Sequence, residues 1–399
     1  MKTENVIGGN AKVVRNINRS MILNIVRNKQ PISRTKIAGL THLNKSTVSS
    51  IVADLITEEL IYEEKVSDPN IGRNPVNLSL KLGRYLVGAI SIDAALTRFA
   101  VTDIDGSVLG TSFIDYKPGT PEEFLEKCKQ ELDKLCKQLK VKKLEGLGIS
   151  VAGIVDSKNM IVNFAPNLGW EDYNVGNTIK ELWPGVSILT VGNDAKCSAL
   201  AELWFGAHKL NLSNFVFLQV GPGIGSGIVV EGKILDGEFH ASGEVGHTVL
   251  YEGGEECTCG NRGCWEKYAS DRATISRYIK QKNGSANILN VSIDGIIKAA
   301  IDNDKTARHV LTETGYYLGL GISNIIKIID PHVIIVGGRI VQAWDIIYPQ
   351  IALEVKNRTF YGKKKIISIL PTSLTVRPRL LGAATLAIKV IFDDYKITI

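Results

Sequence analysis

With 399 residues, 44% of them hydrophobic, and 38 glycines, the chain is longer than one hydrophobic core sustains, and its composition is that of a soluble α/β protein of two or three domains. No apolar run approaches the roughly 18 residues that span a bilayer, and Met1-Lys2-Thr3-Glu4-Asn5 lacks the apolar core of a signal peptide, so a membrane partner is excluded and a cytoplasmic location expected. The net charge of +6 is uneven: residues 1–50 carry nine Lys or Arg against Glu4 alone, a local +8 that leaves −2 for the remainder and marks the N-terminal end as the part facing a polyanion.

Residues 18–28 read as a helix whose Ile22, Leu23, Ile25 and Val26 supply apolar contacts, and it stops before Pro31. Ser33 caps a second helix to Leu40 and Asn44 caps a third, since each offers a side-chain oxygen to a free backbone amide. The link Thr41-His42-Leu43 has the length of a helix-turn-helix connection. In the third helix Val48, Ile51, Val52, Leu55 and Ile56 recur at helical spacing and make the buried face. Lys45, Ser46, Thr47, Ser49 and Ser50 are left around the exposed start, where small polar and basic groups reach base edges in a major groove; Arg34 is counted with them. Leu60–Val66 and Val76–Leu80 have strand character, and the loop between them carries Arg73, a cation suited to the narrow minor groove of A·T-rich DNA. Residues 1–80 are therefore expected to be a winged helix-turn-helix that binds operator DNA. The plainer alternative is a three-helix docking or dimerising unit, which does not explain the +8.

From Leu86 the text changes. Val87–Asp93 and Arg98–Asp103 read as strands with a turn at Asp105-Gly106, and the domain boundary is expected near residues 80–85. Thr120-Pro121-Glu122-Glu123 opens a helix whose apolar face continues through Phe124, Cys128, Leu132 and Leu139. Gly146–Val151 and Val186–Val191 are further strands, and the second delivers Gly192-Asn193-Asp194 to a helix. A carboxylate there can accept a proton from a hydroxyl and the amide can bind another, although either residue is also an ordinary cap. Phe215–Val220 runs into Gly221-Pro222-Gly223-Ile224-Gly225-Ser226-Gly227, which reads either as an anion-facing turn or as a tight hairpin. Tyr317–Ile329 forms a helix, and Pro331–Gly338 a late strand. The alternation implies βαβ units with ligand groups at the carboxyl ends of strands.

Ser242-Gly-Glu244-Val-Gly-His247 is followed after nine residues by Cys257-Thr-Cys259-Gly-Asn-Arg-Gly-Cys264-Trp-Glu266. His247, Cys257, Cys259 and Cys264 supply one imidazole and three thiolates, the number a closed tetrahedral zinc site requires, and Gly260 and Gly263 let the loop fold back. As disulfides, three cysteines within eight residues would leave one unpaired. A histidine held through one ring nitrogen keeps the other free for a ligand beside Glu244 and Glu266.

Glu244-x-Gly-His247 with Cys257-x-Cys259-Gly-x-x-Gly-Cys264-x-Glu266 resembles the double signature of the ROK family (repressors, open reading frames and sugar kinases), and the resemblance covers nearly the whole chain. Leu43–Ser50 and Cys259–Glu266 are most similar to that family's xylose repressors. The resemblance implies that residues 85–399 are a two-lobed body of the actin and hexokinase type, ribonuclease H-like, with the sugar in the cleft. It implies further that Asn193, Asp194, Glu244, His247 and Glu266 hold the sugar, with Asn167 in another sugar-facing turn. In the family's kinases the residue matching Asp194 is the catalytic base. The phosphate side departs from those kinases: Asp93-Ala94-Ala95-Leu96-Thr97 stands where they carry an Asp-x-Gly-Gly-Thr-like loop, and Gly221-Pro222-Gly223 where they carry Gly-Thr-Gly. The expectation is a non-enzymatic, sugar-responsive repressor, xylose favoured, homodimeric on a palindromic operator, with Asp194 a vestige of the kinase base. Two alternatives stand beside it. One is an active ATP-dependent sugar kinase with an added DNA-binding domain; the other is a regulator sequestered by a protein partner.

Overall fold

The computed structural model describes residues 11–65, 76–115, 119–208, 212–282, 291–360, 367–375 and 377–393. The chain divides into two compact units, one of Met1–Ile149, Asn174–Val191 and Ala383–Ile399, the other of Ser150–Tyr173 and Gly192–Gly382.

The first unit begins with α1 (Ala11–Lys29), seven residues longer at its start than the apolar spacing predicts. After β1 (Ile32–Ser33), α2 (Arg34–Thr41) starts where Ser33 accepts from the Lys36 amide, and α3 (Lys45–Thr57) where Asn44 Oδ1 accepts from the Thr47 amide at 2.7 Å. His42 closes α2 in the left-handed region, φ 57°, so the chain turns sharply between the two helices. Val48, Ile51, Val52 and Leu55 are buried, as their spacing predicts. β2 (Ile61–Lys65) and β3 (Val76–Leu80) pair antiparallel, Ile61 opposite Leu80, and β1 adds to the far edge of β3. The predicted loop arginine, Arg73, lies outside the described residues.

Five strands make the main sheet of this unit, in the order β11-β7-β4-β5-β6, with β4 (Val87–Ile92), β5 (Leu96–Thr102), β6 (Val108–Asp115), β7 (Gly146–Val151) and β11 (Ile188–Asn193). Every residue of β4 and β7 is buried, the pattern of strands covered on both faces. One cover is α4 (Pro121–Gln138), capped by Thr120 and buried through Phe124, Leu125, Cys128, Leu132 and Leu135. The other is the end of α12 (Pro378–Asp393): a Cβ on Gly148 would lie 1.7 Å from Ala383 O, so only glycine lets this helix backbone approach β7. The same helix end holds α1, where Ser20 Oγ donates to the carbonyls of Phe392 and Asp393 and Arg27 lies over the Phe392 ring.

The second unit repeats the plan. Its sheet runs β14-β13-β12-β15-β16, comprising β12 (Phe215–Val220), β13 (Ile224–Val230), β14 (Lys233–Ile234), β15 (Val333–Gly337) and β16 (Ser368–Pro371). In each unit three strands consecutive in the sequence form a meander, and two later strands extend the edge of its first member. In the second sheet those additions, β15 on β12 and β16 on β15, are parallel. The duplication has no trace in the sequence because the two copies share only burial and order. A smaller sheet of β8 (Ile154–Asp156), β9 (Ile161–Ala165) and β10 (Trp170–Asn174) precedes it. Helices α6 (Asp194–Phe205), α8 (Asp271–Gln281), α9 (Ile293–Ile301), α10 (Lys305–Ile329) and α11 (Trp344–Arg358) complete the unit, and the core is built on α10 with α9, α11 and the buried faces of β12 and β15. The glycine-rich stretch after β12 is a hairpin turn: Val220 pairs with Ile224 and the Gly221 amide donates to Gly223 O. No helix among the described residues is long and apolar enough to cross a membrane.

Candidate functional site

Three features of the second unit bring polar side chains together. The first is the start of α6. Asn193 Oδ1 accepts from the amides of Ala195 and Lys196 and its Nδ2 donates to Gly153 O at 2.8 Å, so the amide foreseen as a hydroxyl ligand is largely committed to capping the helix and tying down the loop after β7. One Nδ2 proton remains for a ligand. Asp194, next in the chain, is buried, and Arg379 Nε stands 3.1 Å from its Oδ2. The same guanidinium packs against Gly221, where a Cβ would meet Arg379 Nη2 at 3.1 Å.

The second is Val245–His247, a single 3-10 turn that continues from Glu244. Two glycines press it onto β13, since a Cβ on Gly243 would meet Ser226 O at 2.4 Å and one on Gly246 would meet Ile224 O at 2.1 Å. His247 stands between Glu244, 4.0 Å from its Nε2, and the cysteine loop, 3.5 Å from its Nδ1. Burial lifts the Glu244 carboxyl above the usual range; His247 pulls it down, Asp194 raises it, Lys196 lowers it and Glu266 raises it further. Four of the foreseen residues, Asp194, Glu244, His247 and Glu266, thus share one electrostatic neighbourhood.

The third is the loop of Cys257, Cys259 and Cys264. It folds back through two left-handed glycines, Gly260 at φ 89° and Gly263 at φ 77°, and a Cβ on Gly263 would lie 1.7 Å from Tyr251 O. Cys257 Sγ lies 3.5 Å from His247 Nδ1 and Cys259 Sγ 3.6 Å from Cys264 Sγ; all four donor atoms fall within 4.8 Å of one another, a set that can hold a metal ion. His247 Nε2 points instead toward Glu244, 4.0 Å from its Oε2, and Nδ1 is also 3.9 Å from Glu266 Oε1. Burial pushes the Cys264 thiol up to about 12, so a thiolate at that position needs a cation beside it. Trp265, fully buried and donating from Nε1 to Tyr317 O at 2.7 Å, anchors the loop on α10, and Glu266 beside it reaches Cys257 Sγ at 3.2 Å and the Ile224 amide at 3.4 Å.

Asn167 is exposed in the turn between β9 and β10, and among the described residues no hydrogen bond connects it to the others. Sequence reasoning missed Arg379 and a chain of polar side chains that runs from buried Lys196 through half-buried Asp236 and His240 to Asp156. Arg379 lies 185 positions from its partner, and Lys196 reads as an ordinary helix-surface lysine.

In the first unit Lys45 and Ser46 are exposed at the start of α3, with Thr47 and Ser49 half-buried beside them. Ser46 Oγ donates to Asn44 Oδ1 at 2.8 Å. Ser50 accepts from Arg15 Nη2 at 3.0 Å, and Arg34 bonds Glu63 Oε1 at 2.8 Å and Ser49 O at 3.4 Å. Exposed pairs of this kind contribute at most about 1 kcal/mol, so Arg34 can exchange Glu63 for another anion.

The ROK family profile matches residues 87–390. The chain is 31% identical over 384 residues to the xylose repressor of Bacillus subtilis strain 168, covering 95% of this chain and 97% of the relative. Among solved structures it is similar to a ROK family transcriptional regulator described as a homologue of the E. coli MLC protein, with TM-score 0.82, 26% identity, and 95% and 97% of the two chains covered. It is also similar to a ROK family glucokinase from Streptomyces griseus solved with glucose and AMPPNP, with TM-score 0.69, 25% identity, and 76% and 99% covered. The regulator extends over nearly the whole chain, whereas the glucokinase matches three quarters of it. The chain belongs to the ROK family.

Proposed function

We propose that the protein is a sugar-responsive transcriptional repressor. In this reading residues 1–80 are a winged helix-turn-helix that binds operator DNA through Lys45, Ser46, Thr47 and neighbouring residues, and residues 85–399 are a sugar-binding body that senses without phosphorylating. D-xylose is the favoured effector. The observation that carries the reading is the Asp194–Arg379 pair beside Glu244, His247 and Glu266. These groups offer acceptors and donors to neutral hydroxyls, while the carboxylate that a kinase would use as base is engaged by a guanidinium lying over Gly221. Pro222 in the adjoining turn has neither a hydroxyl nor an amide proton to give a phosphate.

Zinc is the metal that suits the cluster. For tetrahedral zinc with bonds of about 2.3 Å to sulfur and about 2.0 Å to nitrogen, adjacent ligands stand about 3.8 Å and about 3.5 Å apart, against the observed 3.6 Å for Cys259–Cys264 and 3.5 Å for Cys257–His247. Bound zinc would supply the cation the thiolates need and crosslink the loop. His247 Nε2, directed at Glu244, stays available to a hydroxyl. Sugar occupancy and operator affinity are linked by the differential affinity of the sugar for the DNA-competent and released forms of a homodimer.

Calorimetric titration of the full-length protein with pentoses and hexoses, each alone and with ATP, tests this reading together with gel-shift measurements on an operator fragment. One sugar should bind without turnover and change operator affinity. ATP-dependent phosphorylation lost in Asp194→Asn would replace the sensor with a kinase.

A further inference from the structure

One buried charge in the second unit, that of Lys196, is matched by three acceptors of a single loop. Lys196, in the first turn of α6 two residues after Asp194, is 8% exposed. A buried ammonium survives only when its protons are matched. Its Nζ has three acceptors: Asp236 Oδ1 at 2.5 Å, Asp236 O at 3.1 Å and His240 O at 2.8 Å. All three belong to the loop that leaves β14 and ends in Glu244. The connection continues, for Asp236 Oδ2 lies 2.5 Å from His240 Nδ1, and His240 Nε2 lies 3.5 Å from Asp156 Oδ2 at the end of β8.

The loop cannot hold this course by backbone preference alone. Gly237, His240 and Gly243 all lie in the left-handed region, at φ 81°, 58° and 97°, and for His240 that conformation is strained. Its two ends are fastened to β13, by Leu235 N to Ile228 O at 2.8 Å and by Ser226 N to Gly243 O at 3.1 Å, while between them His240 N to Gly237 O and Ser242 N to Asp236 O, both at 3.2 Å, only close the loop on itself. Lys196 supplies the attachment to α6, and His240 supplies the one to β8.

We propose that Lys196 is a positioning residue of the effector site. Through Asp236 and His240 it clamps the loop Leu235–Gly243 onto α6 and so sets where Glu244 and His247 stand relative to Asp194. The proposal rests on the reading of these residues as a sugar site, so its test includes a measurement that needs no sugar. Phe239, at the tip of the loop, is 82% exposed and is a chymotrypsin target once the backbone around it can open.

Full-length wild type, Lys196→Met, Lys196→Arg and Asp236→Asn are compared for zinc content, D-xylose affinity and rate of chymotryptic cleavage at Phe239. Lys196→Met should retain zinc and helical content, lose D-xylose affinity by at least about 30-fold and be cleaved at Phe239 at least about tenfold faster. Lys196→Arg, which restores the cation, should recover both values to within a few fold. Asp236→Asn, which keeps an acceptor and loses the charge, should move both in the direction of Lys196→Met and carries the test if that variant does not fold. Unchanged cleavage in Lys196→Met and Asp236→Asn would overturn the clamp. Faster cleavage with D-xylose affinity unchanged would overturn its role in the site, and wild type that binds no sugar while the cleavage pattern follows the clamp would refute the sensor reading and leave the clamp standing.

Discussion

Asp271 offers a sharp test of how charge is distributed around the site. It opens α8, donates its amide to Gly221 O at 2.8 Å, is 8% exposed, and its Oδ1 has no hydrogen-bond partner among the described residues. Burial pushes its carboxyl from the ordinary 3.8 up to about 6, against the pull of Arg379. A folded-state value raised above the unfolded one means that the folded protein binds this proton more tightly. The associated stability is therefore fully present below pH 3.8 and is lost as pH rises through about 6. Two pH units at 1.36 kcal/mol each give ~3 kcal/mol in full, of which ~1.4 kcal/mol remains at pH 5 and almost none at pH 7.5. Asp271→Asn removes the titration and keeps the shape, so the stability difference between variant and wild type should widen in the variant's favour by ~1.4 kcal/mol from pH 5 to pH 7.5. Urea denaturation at pH 5, 6 and 7.5, read as this difference, cancels the contribution of other raised carboxyls such as Glu244 and Asp103. Parallel profiles for the two proteins would refute the argument, since they would mean that Asp271 is solvated or fully compensated.

Four further outcomes are expected. Arg379→Ala leaves Asp194 buried without its guanidinium and should destabilise the protein by about 3–5 kcal/mol in chemical denaturation, while Arg379→Lys should recover part of that; a loss below 1 kcal/mol would mean the pair is not buried in solution. Gly321→Ala brings a methyl to 2.0 Å from Trp265 Cε2, which should cost about 1–3 kcal/mol and weaken metal retention by the adjoining loop, both measurable by denaturation and by zinc analysis after dialysis. Cys259→Ala should reduce bound zinc from one per chain to near zero and abolish the response to D-xylose while sparing non-specific DNA binding, as read by elemental analysis and gel shift. Operator affinity should fall steeply with salt, and Arg34→Ala should lower the slope of log affinity against log salt by about 1; a salt-independent affinity would contradict the DNA-binding reading.

How much of this was legible depended on whether the physics is local. Helix caps were, because Ser33, Asn44 and Thr120 each meet an amide three residues away. The histidine–cysteine cluster was, because four donors and two turn glycines lie within 18 residues, and the left-handed glycines stand where the spacing needs them. Charge counting was less faithful. The +8 of residues 1–50 reads as one surface facing a polyanion, yet Arg19 is buried against Glu58, and Arg27 is lowered to about 10 by burial beside Phe392. These two arginines fasten the N-terminal helices to their neighbours, and a sequence cannot separate them from exposed Lys45 because both kinds recur on helices of similar polarity.

The same distinction accounts for the candidate site. Asn193 and Asp194 could be chosen from their position at the end of a strand, but which of them remains open to a ligand is decided by Gly153 and Arg379, 40 and 185 residues away in the chain. Gly153 takes one amide proton of Asn193 while the Oδ1 of the same side chain caps α6, and Arg379 pairs with Asp194. The result is the reverse of what the two residue types suggest in isolation. The amide, the natural hydroxyl ligand, acts chiefly as a cap. The carboxylate, a natural base, is left as an acceptor whose charge is already matched. In the proposed sugar site, a carboxylate already paired with Arg379 would serve as an acceptor for a hydroxyl, the role that recognition without phosphorylation requires.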